Sequence, residues 1–319
     1  ACINVLCDYL RTPYEPPTRN PHLRKETRRT HRTKYDYTDT THEYPHDDLD
    51  TRHAITRTIA AHLQEGHDHS WSPFVYDFTG AYLHDLDLTG AKFGQGAEFR
   101  AATFSGDHTS FKDAQFSDYT SFVGATFRSE YTIFDGAKFR GTTRFEHTRF
   151  SGQNTSFRDA RFSGKITLFR VATFSGEYTS FDNARFSSKS NSFVGATFSG
   201  DHTSFDNARF NGDNFNSFSG PALDGHSTSF RAATFSGEYT SFEGTTFSGE
   251  TSFRAATFSG EHTSFEGTRF DGENILFEDP RAWGNVTMDW ERHPRSVFGP
   301  LRPQPASVVP HEWPPVPKP

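Results

Sequence analysis

Apolar positions in this chain are set by phenylalanine at counted intervals. In the middle of the stretch from Phe78 to Phe277 they fall at Phe157, Phe162, Phe169, Phe174, Phe181, Phe186, Phe193, Phe198, Phe205 and Phe210, with gaps that alternate between five and seven. The residue two before Phe is small (Ala172, Ala184, Thr179, Thr203), and the intervening positions are polar or glycine (Ser175, Gly176, Asp182, Asn183, Arg185). In an extended segment, residues i and i−2 share a side. Each short segment therefore has an apolar side, large beside small, and a wet side. The segments are too brief for a helix, and a step of five does not fit its 3.6-residue period. The pattern predicts a tightly wound β-solenoid with short walls, corners turned by Gly, Asp or Asn, and Phe stacked on Phe inside. Each buried ring then contributes about 1.5–3 kcal/mol.

A second alternation gives the coil length. The residue before Phe in the A-x-F units reads Thr103, Gln115, Thr126, Lys138 and later Thr173, Arg185, Thr197, Arg209. Like recurs with like at Phe111, Phe134, Phe157, Phe181 and Phe205, steps of 23 or 24 residues. One turn is thus read as four walls. About eight or nine turns at roughly 4.8 Å each give a rod roughly 40 Å long.

The flanks follow other patterns. Residues 1–12 carry Ile3, Val5, Leu6, Tyr9 and Leu10, the end of an amphipathic helix stopped by Pro13, and an upstream region is expected before Ala1. Cys2 and Cys7 are the two cysteines. Five apart on a helix, they point about 140° from each other, against a mutual disulfide or a metal pair. Residues 13–50 are read as a charged linker. Arg19, Arg24, Lys25, Arg28, Arg29, Arg32 and Lys34 precede Asp36, Asp39, Glu43, Asp47, Asp48 and Asp50, so the halves partly neutralise one another. That disfavours a basic arm for nucleic acid or anionic lipid. Residues 51–70 hold a capping helix with Ala54, Ile55, Ile59, Ala60 and Leu63 on one face, needed to cover open strand edges. The repeats occupy 71–282, and residues 213–226, where Pro221 intrudes, are expected to leave the rod as a bulge or loop. Residues 283–319 are expected to form a cap with Trp283 and Trp290, followed by an extended, disordered proline-rich tail.

Composition agrees with a solenoid rather than a globule. The 319 residues are 16% aromatic with 35 Phe, yet mean hydropathy is −0.73. The formal net charge of −7 names no partner, and no apolar run is long enough to span a membrane. Residues 74–200 hold 13 acidic and 14 basic side chains, residues 201–282 hold 13 and 5, so the distal coils are acidic. Three before Phe in the longer units runs a stripe of His108, Tyr119, Tyr131, Asn154, Tyr178, His202, Tyr239 and His262. Its imidazoles are coils apart, too distant for one metal, so it is read as a corner stripe of stacked side chains. An outward rank of Thr103, Thr126, Thr173 and Thr197 is too narrow, between Arg-bearing walls, for an ice- or glycan-binding array. No Ser-His-Asp grouping, phosphate loop, CxxC pair or HExxH is present. No catalytic, cofactor-binding or metal-ligating residue is nominated, and no cofactor is expected.

The run Phe78-Thr-Gly-Ala81-Tyr-Leu83-His-Asp-Leu86-Asp-Leu88-Thr-Gly-Ala91-Lys-Phe93 keeps a strict five-residue step. It resembles the pentapeptide-repeat family, and the longer units resemble the Phe-rich subgroup common in actinobacterial proteins. The resemblance implies a right-handed quadrilateral β-helix without catalysis. The segment N-V-L-C-D-Y-L-R-T-P-Y resembles one that precedes the repeats in that group, where a membrane-anchoring segment often lies upstream. The expected function is a non-enzymatic structural or protein-interaction solenoid, the cytoplasmic scaffold part of a larger membrane-tethered protein, with no membrane contact within this chain. Its protein partner is unidentified, and end-to-end pairing of rods is an option. The alternative is a DNA mimic that binds a type II topoisomerase such as gyrase through the acidic distal coils, without binding DNA itself.

Overall fold

A computed structural model describes residues 2–14, 23–31, 37–45, 48–213, 215–290 and 302–318, with 23–31 and 37–45 described by their backbone alone. From Tyr76 onward the chain winds into a four-walled β-solenoid of about nine turns. The first wall has ten parallel strands, from Tyr76–Asp77 to Val286–Thr287. The second (Tyr82–His84 to Arg269–Phe270), the third (His108–Ser110 to Val308–Val309) and the fourth (Lys92–Phe93 to Ala282–Trp283) have nine each. Coil length is read from the register. Tyr76 lies beside Ala97, an offset of 21; Ala97 lies beside Thr120, 23; Thr143 beside Thr167, 24; and Asn191 beside Asn216, 25.

Two kinds of corner make the turns. In one, a residue in the left-handed region follows Phe by two, as Asn183 does at φ 59°, and the next N–H closes the turn, Ala184 N to Phe181 O at 3.0 Å. Asn, Asp and Gly suit this conformation; Val171, at φ 56°, does not. In the other, successive coils approach so closely that a side chain has no room. A Cβ on Gly200 would sit 1.7 Å from the Gly176 carbonyl oxygen.

All ten central Phe rings are buried. Each stacks on its counterpart one coil away, as Phe145 does on Phe169 (4.7 Å, 2°) and Phe157 on Phe181 (4.8 Å, 4°). Columns on opposing walls interlock edge to face, Phe145 against Phe157 at 5.6 Å and 89°. The small i−2 residues, such as Ala172, Ala184, Thr179 and Thr203, are buried beside them.

Both ends of this core are covered. Helix α1 (Cys2–Arg11) packs by Ile3, Cys7 and Leu10, and α2 (Leu49–His62) by Ile59, with Leu63 just beyond it. Ile59 and Thr56 face Phe78, Leu83, Leu86 and Leu88 of the first coil. Arg52, 3% exposed, ties the helices together. It pairs with Asp48 at 3.0 Å, donates to Leu10 O at 2.9 Å and Thr12 Oγ1 at 2.8 Å, and lies 4.7 Å from the Tyr14 ring centroid. Such a buried cation needs this full set of partners. Cys2 and Cys7 are both free thiols.

The structure departs from the sequence reading in three places. Within the segment read as a linker, β1 (Leu23–His31) and β2 (Tyr37–Pro45) form an antiparallel pair in unbroken register from Leu23↔Pro45 to His31↔Tyr37. The charge neutralisation expected of that segment concerns side chains outside the described residues. Residues 213–226 do not leave the rod. Phe215 lies beside Ser190 and Tyr239, and Phe218 and Leu223 fill column positions. The register offset grows from 24 at Arg209 to 25 at Phe215, so the extra residue falls between these two strands. Finally, the described part of the proline-rich tail is ordered. Val308 and Val309 add a ninth strand to the third wall beside Ile275 and Leu276, Phe277 N donates to Val309 O at 2.8 Å, and Trp313 covers Phe277 at 5.7 Å. Proline is compatible with such a terminal strand because the outer edge needs no donor. Trp283 and Trp290 join Trp313 at 5.2 and 5.3 Å to close the end.

Candidate interaction surface

Since the inward positions are spent on the core, chemistry is confined to the outward positions of the four walls. Strand register decides which outward residues become neighbours. On the fourth wall, Lys138, Arg161, Arg185 and Arg209 align in adjacent strands. On the second wall, Thr103, Thr126, Arg149, Thr173, Thr197, Ala222 and Thr246 align. The Thr rank is thus interrupted within its own wall. Its neighbours are the first and third walls, and the main arginine column lies on the wall opposite, not beside it.

The aromatic and imidazole stripe divides between two walls. His108, Tyr131, Asn154, Tyr178 and His202 lie on the third. Tyr239 and His262 belong to the first, as does Tyr119 just before its strand, and Phe215 joins them in register. Stacking holds within each set: His108 on Tyr131 at 5.1 Å, Tyr178 on His202 at 5.1 Å and Phe215 on Tyr239 at 5.0 Å. Along the third wall, carboxylates bind the next coil rather than face a ligand. Asp182 Oδ1 accepts the Asp206 N–H at 3.1 Å and the Ser204 hydroxyl; Asp206 Oδ1 accepts the Arg231 N–H at 3.0 Å and the Ser229 hydroxyl. The corner between the second and third walls carries Glu130, Gln153, Glu177 and Asp201, with Gln153 Nε2 donating to Glu177 Oε2 at 3.1 Å.

The shifted titratable groups answer to structure, and three of them, Cys7, Asp77 and Glu98, are neighbours where α1 meets the first wall. Burial pushes the Cys7 thiol up to about 11 and raises the Glu98 carboxyl, whose Oε2 is buried without a partner. Burial and a hydrogen bond to Glu243 push Tyr239 up to about 12. For Asp77, burial acts upward, but hydrogen bonds from Thr79 and the charges of Arg11 and Arg100 win and hold it below the usual carboxylate range. Among the described residues there is no group of three His, Cys, Asp or Glu placed to hold a metal ion, and no helix long and apolar enough to cross a membrane.

Residues 78–126 match the family described as pentapeptide repeats, with 9 copies. That segment carries pentapeptide repeats. The matched segment covers the first two coils and the start of the third, and the same four-walled winding continues past it to Val286. No curated protein and no solved structure matches the chain.

Proposed function

We propose that this pentapeptide-repeat solenoid is a non-enzymatic interaction rod, the scaffold part of a larger membrane-tethered protein, that presents flat walls to a protein partner. The observation that carries this reading is the division of labour across each strand: inward residues fill the core, whereas outward residues line up into columns whose chemistry differs from wall to wall, cationic from Lys138 to Arg209 on the fourth, Ser from Ser156 to Ser252 on the third. Such a surface distinguishes one wall from another along an extended binding face, the kind of face solenoids present to partners. Covered cores at both ends leave the walls, not the ends, as the accessible surface, which disfavours end-to-end pairing. The test is capture from the native host with the full-length gene product, followed by charge reversal on single walls. A partner lost on one wall's variants, with melting temperature unchanged, is the expected result. Equal capture by every wall's variants would overturn it.

The acidic distal coils favour a second reading, a DNA mimic for gyrase. Against it, the cations of the fourth wall lie along the same rod and would repel a DNA-binding saddle. Inhibition of gyrase supercoiling at micromolar protein would favour the mimic over the scaffold.

A further inference from the structure

The fold gathers charge that the sequence disperses. On the fourth wall, Lys138, Arg161, Arg185 and Arg209 stand in consecutive register. Arg140, Lys165 and Lys189 follow at the corner toward the first wall. Over residues 138–142, 161–165 and 185–189 this strip holds six cations and no carboxylate; in the next coil Asp213 follows Arg209 at the same corner and closes the strip. None of the seven forms an ion pair among the described residues. Like charges in register repel; Glu65, paired with Lys92, reaches Lys138 electrostatically at the near end of the column, and no described ion pair offsets the arginines.

A second feature adjoins the first. Ile166 follows Lys165 directly onto the first wall and is 38% exposed, Leu168 beside it is half-buried, and Phe215, two strands along, is also 38% exposed. On a chain of such low mean hydropathy, apolar side chains beside unpaired cations need a partner that is both anionic and oily. The diagonally opposite corner carries Glu130, Glu177 and Asp201 over the same coils, so the rod is polarised across its width.

We propose that the edge between the fourth and first walls, around residues 138–215, docks on an anionic lipid bilayer surface. Lipid phosphates and carboxylates take the place of the missing counter-charges, Ile166 and Phe215 enter the headgroup boundary, and the acidic corner points away. A plane suits a flat parallel wall, and a surface contact of this kind needs no spanning segment. Single-stranded nucleic acid fits less well, because it is held by aromatic platforms between cations. Here the apolar neighbours of the cations are Ile166 and Leu168, and one face of Phe215 is already taken by Tyr239. The proposal is independent of any protein partner.

The test is co-sedimentation of the full chain with phosphatidylcholine vesicles, with or without about one-third phosphatidylserine. Binding to the anionic vesicles alone, weakened by salt, is expected. The triple variant Arg161→Ser, Arg185→Ser, Arg209→Ser should reduce the association constant on the order of 100-fold, at roughly 1 kcal/mol per cation. Ile166→Ser should weaken binding further, and the triple variant Glu130→Ser, Glu177→Ser, Asp201→Ser should not weaken it. All these side chains point outward, so melting temperatures serve as the check on folding. Absence of vesicle binding, binding indifferent to lipid charge, or an undiminished arginine variant would each overturn the proposal. So would arginine-dependent retention of a single-stranded oligonucleotide without vesicle binding.

Discussion

The coil around Phe157–Phe181 and the coil around Asn191–Leu223 are wound alike but filled differently. In the first, four Phe columns run unbroken and the buried polar positions are Thr. In the second, Leu223 stands between Phe198 and Phe247 in the second-wall column, Pro221 follows the corner residue Gly220, and two Asn face inward. Asn191 Nδ2 reaches Ser188 O at 3.1 Å and Asn216 Oδ1 at 2.9 Å, while Asn216 Nδ2 is buried without a partner. Yet the strand register crosses this coil without a slip. Parallel hydrogen bonding from coil to coil fixes the winding, and ring stacking adds stability that single positions can forgo.

That contrast can be broken or sharpened in order of size. Phe181→Ala, in the regular coil, should cost about 3–5 kcal/mol in denaturant unfolding. Gly200→Ala should cost about 3 kcal/mol, since its methyl needs the space of the Gly176 carbonyl; an unchanged midpoint would contradict the close approach. Leu223→Phe should stabilise the irregular coil by about 1 kcal/mol by completing the column between Phe198 and Phe247. Val171→Gly should also stabilise, by a few tenths to about 1 kcal/mol, because a β-branched residue leaves the left-handed region. The smallest effect concerns pH. Burial raises the Glu98 pKa, so folding favours its protonated form. Its charged form therefore works against the fold above the folded pKa and ceases to do so as pH falls below the unfolded value. Glu98→Gln should raise the melting temperature at pH 7, and the gain should vanish toward pH 4.

The interior was legible in the sequence because one physical rule, inward large beside inward small, repeats at every wall. Between Thr103 and Arg209 the residue before Phe, Arg149 apart, already separated the second wall from the fourth; beyond it Thr234 and Thr257 stand on the fourth wall and the signal is lost. The exterior was not legible to the same degree. "Three before Phe" is one position in the repeat but occurs on two walls, so the stripe was read as single although Tyr119 and Tyr131 face different sides. Asp182 shows the same limit. From its spacing, Asp182→Ala should cost little, yet its hydrogen bonds to the next coil raise the expected cost to about 1 kcal/mol. The tail was misread because proline content suggests extension without pairing, whereas Val308, Val309 and Trp313 are the residues that seat it. The insertion before Phe215 looks like a loop because composition changes there; one residue more between Phe210 and Phe215 leaves the strand pairing on either side in place.

The most direct test sets two phenylalanines from neighbouring regions against each other. Phe181 is fully buried in its column, while Phe215 is 38% exposed on the first wall. Denaturant unfolding of Phe181→Ala and Phe215→Ala should show a loss of about 3–5 kcal/mol for the first and under about 1 kcal/mol for the second. Equal losses, or a larger one at Phe215, would mean that the rings do not line the inside of the coil.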